Sequence, residues 1–353
     1  MAKDIKTYHE QTFIEDTLRL REILTTLPAF AKDYFRAMEP TTSAKTRISY
    51  AYDIRTFFYF LVECNPLYRD RSTTQFTLED LDQLSSVDIE EYLEYLKVYE
   101  SSENKQITNS EQGLARKMSA LRSFYGYFFK RQAIEKNPTL LVDMPKLHEK
   151  AIIRLDTDEV AILLDYIETC GSQLTGQKKV YYEKTKYRDL AIITLLLGTG
   201  IRVSECVGLD MDDVDFKNNG IKIHRKGGAE VVVYFGEEVR SALMEYMVER
   251  QKITAADGSV NALFLSLQNK RISVRSVEKM VNKYSKLVTS LKHITPHKLR
   301  STYGTSLYRE TGDIYLVADV LGHKDVNTTR KHYAAIDDDR RRSAAKYVKL
   351  REP

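Results

Sequence analysis

Cysteine is scarce in this chain, with three residues, Cys64, Cys170 and Cys206, among 353. They are odd in number and far apart, which argues against a disulfide framework or a cysteine metal cluster. Long apolar runs are missing too. The longest near the centre, Leu190 to Gly198, is far shorter than the ~20 residues that a membrane span needs. The opening Met1-Ala2-Lys3-Asp4-Ile5-Lys6 starts no secretory hydrophobic region, so a reducing cytoplasm is the expected location. There is no internal repeat and no low-complexity tract. The only acidic triplet is Asp337-Asp338-Asp339. Adjacent residues of a helix point in different directions, so this triplet reads as a capped helix start rather than a two-metal nuclease site. Neither a metal nor another cofactor is expected.

What is present is the balance of a folded globular protein, with 42% hydrophobic and 29% charged residues. The length suits two domains, each with its own core. Net charge is only +4. Its distribution is uneven: residues 1–150 hold 21 Lys+Arg against 23 Asp+Glu, and the remainder holds 33 against 27. The C-terminal part is therefore the basic one, which permits a nucleic-acid partner without establishing it.

Apolar spacing predicts helices over Ile14 to Leu27 and around Ala31 to Met38, forming an N-terminal extension over 1–42. A helical domain over 43–148 follows. It starts at Thr41-Thr42-Ser43 and continues through a capped segment from Thr77 to Tyr99 and an amphipathic helix from Ser110 to Arg131. One face of that last helix carries Arg116, Lys117 and Arg122, readable either as a solvated surface or as DNA contacts. Prolines 138 and 145 mark a linker, and the second domain is expected over 155–353. There a helix from Thr157 to about Cys170 precedes a polar loop, Gly171 to Thr185, and then the buried run 190–197. Ile221-Lys222-Ile223-His224 and Val231-Val232-Val233-Tyr234 flank Lys226-Gly227-Gly228, a β-hairpin with a glycine turn. Helical patterning then runs almost to the end, apart from a short strand candidate at Leu263-Phe264-Leu265.

Four local features carry chemistry. Thr295-Pro296-His297-Lys298-Leu299-Arg300 reads as a helix start, with Thr as cap and Pro at the first position. His297 and Arg300 then share one face beside backbone N–H groups that attract anions. In Gly198-Thr199-Gly200-Ile201-Arg202-Val203-Ser204-Glu205, the glycines end one helix and place Arg202 at the start of another, where Glu205 can orient the guanidinium. Lys226 sits at a hairpin tip, from which an ammonium can reach into a groove. Finally, Gly322 can end a helix at Leu321 and present His323, ahead of a short helix carrying Tyr333. Singly, each has an ordinary explanation: a surface ion pair, a helix joint, a lysine turn, one of 23 tyrosines.

Their order, Arg, hairpin Lys, His-x-x-Arg, Gly-His, Tyr, resembles the tyrosine recombinase (phage integrase) family across essentially the whole second domain. The resemblance implies a mainly α fold with a small β component: a helical core-binding, SAM-like domain and an α+β catalytic domain. It implies a catalytic set of Arg202, Lys226, His297, Arg300, His323 and the nucleophile Tyr333, with Glu205 in support. It further implies double-stranded DNA with paired half-sites as partner, a tetramer on two sites, and a C-terminal helix, 340–350, exchanged between protomers. The chain is most similar to the Xer-type and mobile-element integrases of bacteria. Type IB topoisomerases share the chemistry, and an idle DNA-binding regulator could share the fold. Two departures stand out: Ser301 replaces the histidine usual after the second arginine, and the interval from His323 to Tyr333 is one residue longer than the commonest spacing.

Overall fold

In a computed structural model, residues 7–100, 105–148, 153–225, 228–289, 292–323 and 325–326 are described. The chain divides into two units, Met1–Lys150 and Ala151–Pro353. Together they are mainly helical, with two small antiparallel sheets among the described residues.

The first unit is built from α1 (Tyr8–Leu24), α2 (Ala31–Met38), α3 (Ala44–Cys64), α4 (Leu78–Gln83), α5 (Ser86–Tyr95), the strands β1 (Val98–Glu100) and β2 (Gln106–Thr108), and α6 (Glu111–Lys130). The segment read from Thr77 to Tyr99 is broken. Ser85 and Asp88 form a reciprocal cap that starts a new helix after α4, and the chain then turns into β1. Aromatic rings hold the unit together. Phe57, Phe58, Tyr92, Phe124 and Tyr125 are fully buried and meet largely edge to face. Leu20, Ile23, Tyr34 and Phe35 share that core, so the expected N-terminal extension packs as one body with the helices after it.

The basic face expected along α6 serves the fold in part. Lys117 is buried and its Nζ donates to Asp53 Oδ1 at 3.1 Å, while Arg116 binds Asp53 Oδ2. Asp53 is itself buried on α3, so an apolar helix pair is pinned by an ion pair that water cannot replace. Arg122 donates to the carbonyls of Thr139 and Val142, at 3.1 and 2.5 Å, and fastens the following segment to α6. The surface role read for these three is thereby corrected for Lys117 alone, which is buried; Arg122 is part-buried and the Arg116 side chain stays half-exposed.

The second unit comprises α7 (Thr157–Thr169), α8 (Gly176–Thr199), α9 (Val203–Gly208), β3 (Val214–Asp215), β4 (Gly220–His224), β5 (Glu230–Tyr234), α10 (Glu237–Gln251), α11 (Val274–Val288), α12 (Pro296–Thr311) and α13 (Ile314–Leu321). The expected polar loop 171–185 is instead mostly the first half of α8. Its Lys, Gln and Glu residues are good helix formers whose charge occupies the solvated face. Its inner face is anchored by the Tyr182 hydroxyl, which donates to the carbonyls of Ile167 and Glu168 on α7. Farther along, buried Asp189 accepts from Arg188 and from the Tyr284 hydroxyl of α11. That leaves residues 191–196 of the run read as a buried helix core sealed, with Leu190 and Leu197 half-buried at its ends.

The hairpin forms as expected and gains a third strand, in the order β3-β4-β5. Ile221 pairs with Val233 and Ile223 with Val231, so the alternation puts Ile221, Ile223 and Val233 inward. Leu263-Phe264-Leu265 is buried but is not a strand. Its backbone is shared out instead: the Tyr246 hydroxyl of α10 donates to the Leu263 carbonyl and accepts from the Leu265 N–H, the Leu263 N–H donates to Leu209, and the Phe264 carbonyl accepts from Ile272. Among the described residues no helix is long and apolar enough to cross a membrane.

Candidate active site

The end of α8 is a left-handed turn at Gly200, with φ +63°. A Cβ there would overlap the Tyr303 ring and come within 2.9 Å of Leu321 Cδ2, so glycine is required for space as well as for conformation. The chain then enters α9 at Arg202. Glu205, one turn on and buried, accepts from the Arg202 backbone N–H at 2.7 Å through Oε2 and from Nη1 at 2.8 Å through Oε1. The carboxylate thus caps the helix and orients the guanidinium at once, the role read for it from spacing. About a third of the Arg202 side chain remains exposed.

Pro296 opens α12, and Thr295 occupies the cap position without a side-chain capping bond. His297 is exposed in the first turn. Arg300, the fifth residue, is instead buried, at 5% exposure. Its guanidinium is drawn inward by two backbone carbonyls, donating to Gly200 at 2.5 Å and to Leu321. The two residues read on one face of the first turn thus differ in burial: the His297 side chain is exposed and the Arg300 side chain is buried.

Helix α13 ends at Gly322, also left-handed, and His323 follows, half-buried, with its backbone N–H bonded to the carbonyl of Ala318 at 2.9 Å. The last carbonyls of a helix have no partner within it and carry its negative dipole end. Here the backbone N–H groups of Gly322 and His323 turn back onto Asp319 and Ala318, and three arginines add further partners. Arg225 donates to Asp319 and Val320, Arg300 to Leu321, and Arg202 to Gly322 at 3.3 Å. One helix terminus therefore gathers Arg202, Arg300 and His323, which lie far apart in sequence. Cys206, fully buried on α9, takes no part: burial pushes its thiol pKa well up.

Arg225 is the residue that sequence reasoning missed. The only available signal was a second basic residue beside Lys226, and its carbonyl partners lie 94 and 95 residues away. Lys226, Tyr333, the acidic triplet 337–339 and the segment 340–350 lie outside the described residues.

A family model described as the phage integrase family matches residues 154–340. The chain belongs to that family. The recombinase is 34% identical over 318 residues to the tyrosine recombinase XerC of Caldanaerobacter subterraneus subsp. tengcongensis, covering 88% of this chain and 83% of that one. It is 30% identical over 353 residues to the tyrosine recombinase XerS of Streptococcus uberis, covering 93% and 98%. With such relatives it is a Xer-like tyrosine site-specific recombinase. Among solved structures, XerH bound to a palindromic difH substrate aligns with TM-score 0.60 at 19% identity, covering 82% of this chain and 75% of that one. The Tn1549 transposon integrase in complex with transposon right-end DNA aligns with TM-score 0.62 at 20% identity, covering 89% and 98%. At those identities the likeness speaks for the fold.

Proposed function

We propose that the recombinase cuts and rejoins double-stranded DNA through a 3′-phosphotyrosyl link on Tyr333, with Arg202 and Arg300 as the phosphate clamp. The observation that carries this reading is the convergence of both arginines, with His323, on the end of α13. A phosphodiester repels nucleophiles, and its pentacoordinate transition state gathers further negative charge. Fixed guanidinium and imidazole donors stabilise that charge without reorganising as it develops. A guanidinium has five N–H donors. Two on Arg300 engage the carbonyls of Gly200 and Leu321, so phosphate contact draws on the remainder.

The Tyr333 oxygen attacks phosphorus, and the phenol, with an ordinary pKa near ~10, passes its proton to His297. The bond from phosphorus to the 5′ oxygen breaks, and Lys226 protonates that oxygen. The phosphotyrosyl ester conserves the bond energy, and the 5′-hydroxyl of another strand reverses the step. The chemistry balances without ATP or a metal. Two such exchanges call for four protomers on two DNA sites with paired half-sites, joined through the 340–350 segment, and the enzyme works where chromosomal DNA lies, in the cytoplasm.

The test is to map the DNA that the purified protein protects, then present that site with a nick beside the scissile phosphate so that the cut end diffuses away. Wild type accumulates a covalent protein–DNA adduct, in EDTA as in its absence, and Tyr333→Phe gives none. An adduct that persists in Tyr333→Phe overturns the assignment of the nucleophile; loss of the adduct in EDTA overturns the metal-free mechanism.

A further inference from the structure

Arg225 bridges two parts of the catalytic unit. Its Nη1 donates to the carbonyl of Asp319 at 3.2 Å and its Nη2 to that of Val320 at 2.7 Å, both in the last turn of α13. Its backbone closes the hairpin: the N–H donates to Ala229 at 2.8 Å, and the carbonyl accepts from Gly228 at 3.0 Å. Directly against its guanidinium lies Gly322. A Cβ there would come within 2.5 Å of Arg225 Cζ, so the bare glycine is what lets the guanidinium seat on the helix end. The Arg225 Nε is buried there without a hydrogen-bond partner, a desolvation cost that the two carbonyl bonds offset. A planar fork can span two successive carbonyls, whereas a lysine ammonium is a point charge on a flexible stem.

Hairpin tips are mobile unless something ties them down. This one is tied at the residue next to Lys226, about 3.8 Å away along the chain, and the tie ends at the turn that carries His323. We propose that Arg225 is a positioning residue, clamping the hairpin to the end of α13 so that Lys226 is held at the departing 5′ oxygen. The proposal rests on the reading of Lys226 as proton donor. Fixing the root of the lysine stem raises its effective concentration at that oxygen, and nothing in the phosphate clamp need change.

The experiment compares single-turnover cleavage, with enzyme in excess, on two versions of the protected DNA site. One is the ordinary phosphodiester; in the other, sulfur replaces the bridging 5′ oxygen. A thiolate leaves without being protonated, so this second substrate bypasses the proton donor. Arg225→Lys, which keeps the charge and loses the fork, and Arg225→Ala, which removes both carbonyl bonds to α13, are each expected to cleave the oxygen substrate about tenfold or more slowly, a part of the ~10²–10⁴ that general acid catalysis contributes. Both should match wild type on the sulfur substrate, with melting temperatures recorded alongside. Slowing on both substrates, or on neither, overturns the proposal. Lys226→Ala is run in parallel. If sulfur does not rescue it, Lys226 is not the donor and the proposal falls with that reading; if sulfur rescues Lys226→Ala but not Arg225→Lys, the clamp alone fails.

Discussion

Arg300 of α12 donates to the carbonyl of Gly200 at 2.5 Å and also to that of Leu321, so one buried guanidinium joins the end of α8 to the end of α13. An ammonium cannot reach both acceptors. Arg300→Lys should therefore strand a buried carbonyl at a cost of about 1–3 kcal/mol, measured by urea unfolding. Adduct formation on the nicked site should fall further, on the order of 10²–10³-fold, as for loss of a transition-state donor. Equal cleavage by the two proteins would remove Arg300 from the phosphate clamp.

Gly200 is held left-handed between Tyr303 and Leu321. Gly200→Ala is expected to destabilise by more than about 1 kcal/mol, since both the backbone angle and the space oppose it. The turn it forms also leads into Arg202, so cleavage under saturating enzyme should drop while DNA binding persists. A fully active, equally stable variant would show that the turn does not set the arginine.

In the first unit, Asp53 is the buried carboxylate that holds Lys117 and Arg116. Asp53→Ala leaves the Lys117 ammonium buried and uncompensated, a loss of about 3–5 kcal/mol. Lys117→Met, which removes the buried cation and fills its volume, should cost much less. Chemical denaturation of the two variants decides it, and a larger loss in Lys117→Met would sink the pairing argument.

Tyr92 and Tyr125 lie wholly inside the first unit, and burial raises their pKa well above the usual 10.0. The folded state keeps these protons while the unfolded chain releases them near its ordinary value. Their stabilisation is therefore complete below about pH 10 and lost as pH rises beyond it. Alkaline unfolding followed by helical circular dichroism should begin above that pH. In Tyr92→Phe/Tyr125→Phe, stability should fall less steeply above pH 10 than in wild type; an unchanged slope would contradict the linkage.

The order of the chemistry-bearing residues along the second domain pointed to the family before any coordinates, because Arg202 with Glu205, His297 with Arg300, and Gly322 with His323 are local patterns. Helix caps and glycine turns are set by neighbours three or four residues away, and so are legible in sequence. The hairpin was legible for the same reason: alternation around a glycine turn is a short-range signal. Where composition stood in for contact, the reading failed. Residues 176–185 read as a polar loop because their charge was visible and the anchoring of Tyr182 on α7 was not. Lys117 read as surface because lysine usually is, and its partner sits 64 residues away.

By itself, then, the sequence determined the fold class, the reaction family and the helix-start and glycine-turn settings of Arg202, His297 and His323. Only the tertiary structure decided that Arg202, Arg225 and Arg300 meet at a single helix terminus, that Arg300 is buried while His297 is exposed, and that the Arg225 guanidinium lies against the bare Gly322. The acceptors in that arrangement are backbone carbonyls. Every residue has one, so nothing in their side-chain identity could announce them, and folding alone selects which ones the arginines reach.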